Sequence, residues 1–177
     1  MERRFERDEL VYDGRIVKVH KVLVRMHDGQ CVGRDFIHFP GAAVVVPVLD
    51  DGSIVLIRNW RFAIQEHLYE LPAGVLDAGE DPAVCAAREL AEETGYAVGR
   101  LEKLGAFCST PGTADEVLHA YLATGLTRGR QDLEAHEQIT VEVLADAAVR
   151  AMVADGTIHD AKTISALALY WLREKRL

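Results

Sequence analysis

A chain of 177 residues, 49% apolar and 27% charged, is long enough for one domain with a substantial core and has a globular composition. Its net charge of −8 excludes a nucleic-acid surface, which needs a basic stripe. It leaves room for a phosphorylated substrate, whose local field is set by metal ions and a few arginines. The start, MERRFERDEL, lacks the apolar stretch of a signal peptide, and no apolar run reaches the ~18 residues of a membrane span. Cys31, Cys85 and Cys108 show no metal-like pairing. Buried thiols in a cytoplasmic protein are expected.

From Ile16 to Met26 the chain reads as a valine-rich strand, Asp28-Gly29 as a hairpin turn, and Cys31 to Phe39 as the return strand. This predicts an N-terminal antiparallel β-ribbon over residues 1–40, appended to a main domain of residues 41–177. On a monomer such an apolar ribbon would be a poorly protected edge. Ala42–Leu49 and Ile54–Trp60 are nearly continuous in apolar residues, as strands covered on both faces are, and Asp51-Gly52 predicts a hairpin between them.

After the lead-in EHLYELPAG, Asp81 caps a helix, Pro82 suits its first position and Gly95 stops it. On a wheel of ~100° per residue, Val84, Ala87, Leu90 and Ala91 form an apolar back. Glu89, Glu92 and Glu93 form an acidic front. A solvated face is the plain reading of such a front. Against it, like charges three and four residues apart repel, and Arg88 alone relieves them. Carboxylates at this spacing can instead converge on a hard cation such as Mg²⁺.

Leu101–Cys108 and Val117–Thr124 read as strands around the turn Ser109-Thr110-Pro111-Gly112. The polar stretch 125–139 reads as an exposed loop, followed by a strand at Thr140–Leu144. Two helices, Ala145–Ala154 and one from Ala161 to about Lys175, close the chain.

Gly74, five residues, Glu80, seven residues, Arg88-Glu89-Leu90, one residue, Glu92-Glu93, one residue, Gly95: this spacing resembles the signature box of the Nudix hydrolases. Tyr96 stands where that family usually has an aliphatic residue. The Glu-Leu-Pro-Ala-Gly lead-in, Pro111 sixteen residues past Gly95, and GTIHDAKT resemble the subgroup acting on ADP-ribose and similar nucleotide sugars. The resemblance implies an α+β fold, the Nudix α/β/α sandwich with a mixed sheet. It also implies Mg²⁺ (or Mn²⁺) on Glu89, Glu92 and Glu93, with the backbone oxygen of Ala73 as a further ligand.

The activity implied is hydrolysis of ADP-ribose to AMP and ribose 5-phosphate. A broader nucleoside-diphosphate-sugar hydrolase (ADP-glucose, GDP-mannose) is the alternative, and a non-catalytic ADP-ribose sensor a further one. The box argues against a sensor, because Glu89, Glu92 and Glu93 are intact. Glutamates committed to metal are poor bases, so the base is expected in the loop. Glu137 matches the subgroup best, with Glu134 as runner-up.

Arg88 is expected to orient glutamates by ion pairing, and Glu80 to anchor the loop or to meet the helix dipole. Guanidinium forks suit phosphate oxygens, which makes Arg34, Arg58 and Arg61 candidates. The resemblance matches Arg61 and, less closely, Arg34, and adds Glu70 to the substrate site. Phe36, Tyr12 and Trp60 could each stack on a nucleobase. The resemblance further implies a homodimer that exchanges the ribbon, while the net charge and the short apolar runs predict neither a nucleic-acid nor a membrane partner.

Overall fold

The computed structural model describes residues 5–133 and 138–173. Three antiparallel strands, β1 (Arg7–Asp13), β2 (Lys18–Arg25) and β3 (Cys31–His38), form the ribbon. The sequence pattern yields only the last two. β1 is exposed along its whole length and therefore carries no buried periodicity to read. Its register on β2 slips between Leu10 and Tyr12, the mark of a bulge. The ribbon is fastened to the main body by Asp115, whose carboxylate meets His38 Nδ1 at 2.7 Å and accepts the Phe39 N–H at 3.0 Å.

The main body comprises β4 (Ala42–Pro47), β5 (Ile54–Arg61), β6 (Glu66–Glu70), β7 (Ala73–Val75), α1 (Pro82–Thr94), β8 (Tyr96–Ala97), β9 (Arg100–Cys108), β10 (Val117–Thr124), β11 (Thr127–Arg128), β12 (Ile139–Leu144), α2 (Asp146–Ala154) and α3 (Ala161–Arg173). One sheet runs β7-β4-β10-β9, with β10 parallel to β4 and the other pairs antiparallel. Another runs β12-β5-β6, and β11 pairs with β8.

Every residue of β4 is buried because both of its faces are covered. Ala43 and Val45 pack toward Cys85, Ala86 and Leu90 of α1. Val44 and Val46 pack toward Ala166, Leu167, Tyr170 and Trp171 of α3. Successive side chains of a strand point to opposite faces, so this alternation builds an α/β/α sandwich on a mixed sheet.

Two local expectations are corrected. Asp51-Gly52 does turn the chain, with Gly52 at φ 83° and Leu49 N–H on the Ser53 carbonyl at 2.9 Å. Yet β4 and β5 meet only at the bridge Val48–Ile54 and then diverge into different sheets. Each strand finds its ladder with distant segments, which a local turn signal cannot report.

The second correction concerns α1. Its ends follow the sequence: Asp81 accepts the Ala83 N–H at 2.7 Å, and Gly95 is left-handed at φ 75°. Its packed face does not. Val84 is 58% exposed, while Cys85, Ala86, Leu90, Glu93 and Thr94 are buried. The small Cys85 and Ala86 let the helix approach the sheet, and one flank of the acidic front is turned into the structure. Cys85 is accordingly the buried cysteine; Cys31 and Cys108 are exposed, contrary to expectation.

This orientation predicts that Leu90→Ala lowers unfolding stability by about 2–5 kcal/mol in a denaturant titration, whereas Val84→Ala stays within about 0.5 kcal/mol. Equal losses from the two variants would contradict it.

Candidate active site

The chain leaves β6 through Pro72, forms β7, and loops back over the start of α1, so Gly74 comes to lie against the helix. A Cβ on Gly74 would stand 1.9 Å from the Glu89 carboxylate. The missing side chain is the space that Glu89 occupies. Arg88 binds the surroundings together. Its Nε and Nη2 each donate to the Glu80 carboxylate at 3.0 Å, and its Nη1 donates to Glu89 at 2.6 Å and to Glu92 at 3.2 Å.

This fork and the Asp77 N–H hold the Glu80 carboxyl down to about 2, while the same carboxylates push the Arg88 guanidinium above its ordinary value. Burial first, then the nearby carboxylates of Glu80 and Glu89, pushes the Cys85 thiol up to about 12, so it stays protonated and unreactive.

Glu93, 3% exposed, accepts the Ala73 N–H at 2.9 Å and so joins α1 to β7. Ala73 and Gly74 line a cavity of about 380 Å³ between β7, the end of β9 and the start of α3. As the side chains stand, no three acidic, imidazole or thiol groups among the described residues are grouped to hold an ion. Glu89 and Glu92 face Arg88, and Glu93 faces the Ala73 N–H. The donor set nevertheless fits a hard divalent cation: three carboxylates at i, i+3 and i+4, with two already sharing one guanidinium nitrogen. These are the oxygen ligands that such a cation takes.

On the far wall of the cavity, Arg61 and Lys162 converge on Glu70. Arg61 donates through Nε at 2.7 Å and Nη2 at 2.5 Å, and Lys162 Nζ donates to the same carboxylate. Glu70 is completely buried beneath them and does not line the cavity, so it is removed from the direct substrate contact expected of it. Lys162 also pairs with Asp160 at 3.0 Å. Burial would raise the Asp160 carboxyl, but Lys162 and the Thr163 hydrogen bonds outweigh it and hold it below its ordinary value.

Arg61 lines the cavity, whereas Arg34 lies exposed on the ribbon, its Nη1 on the Gly33 carbonyl at 3.0 Å, away from this cavity in the single chain. Arg58 sits elsewhere, over the Tyr69 ring at 5.7 Å. Among the aromatic candidates, Phe36 packs on Phe5 and His20, and Trp60 packs on His67. Phe107, Ser109 and Glu116 line the cavity without being marked as functional by the sequence, and Lys162 of the Asp-Ala-Lys-Thr segment lines it too. Their neighbourhood to the turn after β9 and to the Asp-Ala-Lys-Thr segment was the available signal.

Glu134 and Glu137 lie outside the described residues. The chain just before them is stitched to the end of the glutamate helix. The Asp132 N–H reaches the Glu92 carbonyl at 3.0 Å, and Gln131 Nε2 reaches the Glu93 carbonyl at 2.7 Å.

A sandwich carrying three glutamates and an arginine on one helix, packed against a glycine at the rim of a cavity, defines a class. The NUDIX domain family model matches residues 38–166, and the chain belongs to the Nudix family of pyrophosphohydrolases. Among its relatives are an ADP-ribose pyrophosphatase of Bacillus subtilis strain 168, 34% identical over 94% of this chain and 91% of the relative, and a methanol dehydrogenase activator of Bacillus methanolicus, 36% identical over the same shares. A GDP-mannose pyrophosphatase of Cronobacter sakazakii is 34% identical over 75% of this chain and 74% of the relative. The solved structure of an ADP compounds hydrolase shares the fold, with a TM-score of 0.82 at 24% identity, covering 98% of this chain and 96% of that one.

The Glu80–Arg88 fork makes a pH prediction. The folded-state value of Glu80 lies below its ordinary 4.5, so its contribution is complete above that pH and is lost as pH falls toward about 2. Glu80→Gln should therefore be on the order of 1 kcal/mol less stable than the parent at neutral pH. The gap should close on acidification through that window; a gap constant with pH would refute the assignment.

Proposed function

We propose that this chain hydrolyses the diphosphate of ADP-ribose to AMP and ribose 5-phosphate with Mg²⁺, which Mn²⁺ can replace. One observation carries the reading: Glu89 packs on Gly74, Glu92 shares Arg88 with it and Glu93 meets the Ala73 N–H, while Ala73 and Gly74 line a cavity that Arg61 also lines. The ADP-ribose pyrophosphatases of Bacillus subtilis and Mycobacterium tuberculosis among its relatives support the choice of nucleotide. A wider range of nucleoside-diphosphate sugars is the second reading, favoured by the GDP-mannose pyrophosphatases. The intact carboxylates weigh against a sensor.

Glu89, Glu92, Glu93 and the Ala73 carbonyl would hold the cation, which when bound neutralises phosphate oxygens and lowers the pKa of a water. The protein's own part begins with Arg88. By offering one nitrogen to Glu89 and Glu92, it holds both carboxylates on one side of the helix. Arg61, gripped by Glu70 through Nε and Nη2, keeps Nη1 for a phosphate oxygen. Glu137, or Glu134 in its place, takes the proton of the attacking water from the loop beyond the Gln131 and Asp132 anchors.

Glu93→Gln is expected to cut turnover by more than about 100-fold in a folded protein, and excess chelator to abolish it. Glu137→Gln should lower the catalytic rate by about 10²–10⁴-fold with metal affinity retained, whereas Glu89→Gln weakens metal binding. If Glu137→Gln and Glu134→Gln both keep near-normal rates, the base lies on the helix.

The ribbon extends the reading to a cytoplasmic homodimer, in which Arg34 of one copy would serve the site of the other. Leu10, Val11, Tyr12 and Ile16 on and beside β1 are exposed, apolar surface of the kind that an isolated ribbon leaves uncovered. Light scattering should give twice the chain mass of 19.6 kDa, and deletion of residues before Pro40 should abolish the dimer. A full-length monomer would exclude ribbon exchange.

A further inference from the structure

Lys162 has no part in the proposed hydrolysis, yet its ammonium reaches the wall of the same cavity as Arg61. Both cations rest on one completely buried carboxylate, Glu70. Neither is used up by it. A guanidinium has five N–H donors, and Arg61 Nη1 makes no hydrogen bond among the described residues. An ammonium has three, and among the described residues Lys162 directs its Nζ to Glu70 and Asp160 alone. Each cation therefore retains a donor, and the two are held side by side.

The neighbouring groups have structural duties that account for them. Asp160 accepts the Thr163 N–H at 3.0 Å and so caps α3, and Thr163 Oγ1 accepts the Leu71 N–H at 2.9 Å, tying the helix to the turn before β7. Neither duty needs a cation at 162. Asp160 gives Lys162 a second carboxylate at 3.0 Å, so two cations meet two anions, and taking such a cluster from water costs more than an apolar contact would, which makes it a poor choice for stability alone. An oxyanion arriving from the cavity would take up the two remaining donors. The chemistry that fits two adjacent cations with one spare donor each is a phosphate group, whose oxygens accept from both.

We propose that Lys162 is a substrate-binding residue that donates, beside Arg61, to one phosphate of the diphosphate substrate, and that Glu70 is the positioning residue that sets the two cations at phosphate spacing. This rests on the diphosphate-hydrolase reading for its ligand and places the phosphate chain in the cavity, between Ala73-Gly74 and the start of α3.

The test is calorimetric titration of the full chain with inorganic pyrophosphate in the presence of chelator, comparing the parent, Lys162→Met and Lys162→Arg, alongside steady-state kinetics on ADP-ribose with Mg²⁺. Lys162→Met should weaken pyrophosphate binding about tenfold and raise KM by a similar factor, with kcat within about threefold, and Lys162→Arg should recover most of the affinity. A purely structural lysine would instead lower thermal stability and leave the affinity of the folded fraction unchanged. Binding by Lys162→Met within twofold of the parent, or no measurable pyrophosphate binding by the parent, overturns the proposal. Should Lys162→Met fail to fold, the Lys162 side-chain NMR signal of the parent decides: it moves on addition of pyrophosphate if the proposal holds and stays if it does not. A parent that binds pyrophosphate through Lys162 but leaves ADP-ribose uncleaved would sink the functional reading and spare this one.

Discussion

Crowding of like charge on one face of a short helix is the constraint on which the active region depends. Glu89, Glu92 and Glu93 repel one another; Arg88 answers the first two, and the Ala73 N–H meets the third. Arg88 reaches three carboxylates and the Val75 carbonyl at 3.4 Å, so one guanidinium joins β7, the loop through Glu80 and the helix itself. Because Glu80 and Arg88 lie eight residues apart, their pairing closes the loop and holds Glu89 against Gly74. The glycine is as necessary as the charges, since any side chain there would occupy the volume of the Glu89 carboxylate.

The opposite wall applies the same device in reverse. There a buried anion, Glu70, gathers two cations, where Arg88 is a cation gathering anions. The sandwich core between them makes the separation of the two clusters stable. β4 is buried on both faces and packs on α1 on one side and α3 on the other, and its first residue, Ala42, lines the cavity with β7 and the start of α3. Carboxylates gathered by a cation on one helix, and cations gathered by a carboxylate beside the cavity, suit the proposed substrate with its central diphosphate.

Gly95 shows how one residue serves several levels. It ends α1 in a left-handed turn, and a Cβ there would meet the backbone of Arg130 and Gln131 at 2.9 Å. The segment leading to the loop glutamates is thereby laid directly on the end of the glutamate helix, where Gly129 N–H bonds the Gly95 carbonyl at 2.6 Å. Helix termination and placement of the loop follow from the same missing side chain.

Whatever depends on neighbours along the chain was legible in the amino-acid sequence. Caps at Asp81 and Gly95, the turns at Asp28-Gly29 and Asp51-Gly52, the doubly covered strands and the spacing of Glu89, Glu92 and Glu93 are all local chemistry; the carboxylate spacing pointed to a hard cation, and the family resemblance of the whole box implied the reaction class. What the tertiary structure decided is what local pattern cannot carry. It parted β4 from β5 because their ladders are closed by β10 and β12 from far along the chain. It turned α1 so that Val84 faces out and Glu93 in, because Ala73 offers Glu93 an N–H that the helical wheel does not contain. And it brought Glu70, Arg61 and Lys162 together across 92 residues of sequence, where a buried carboxylate had to find its counter-charges in space.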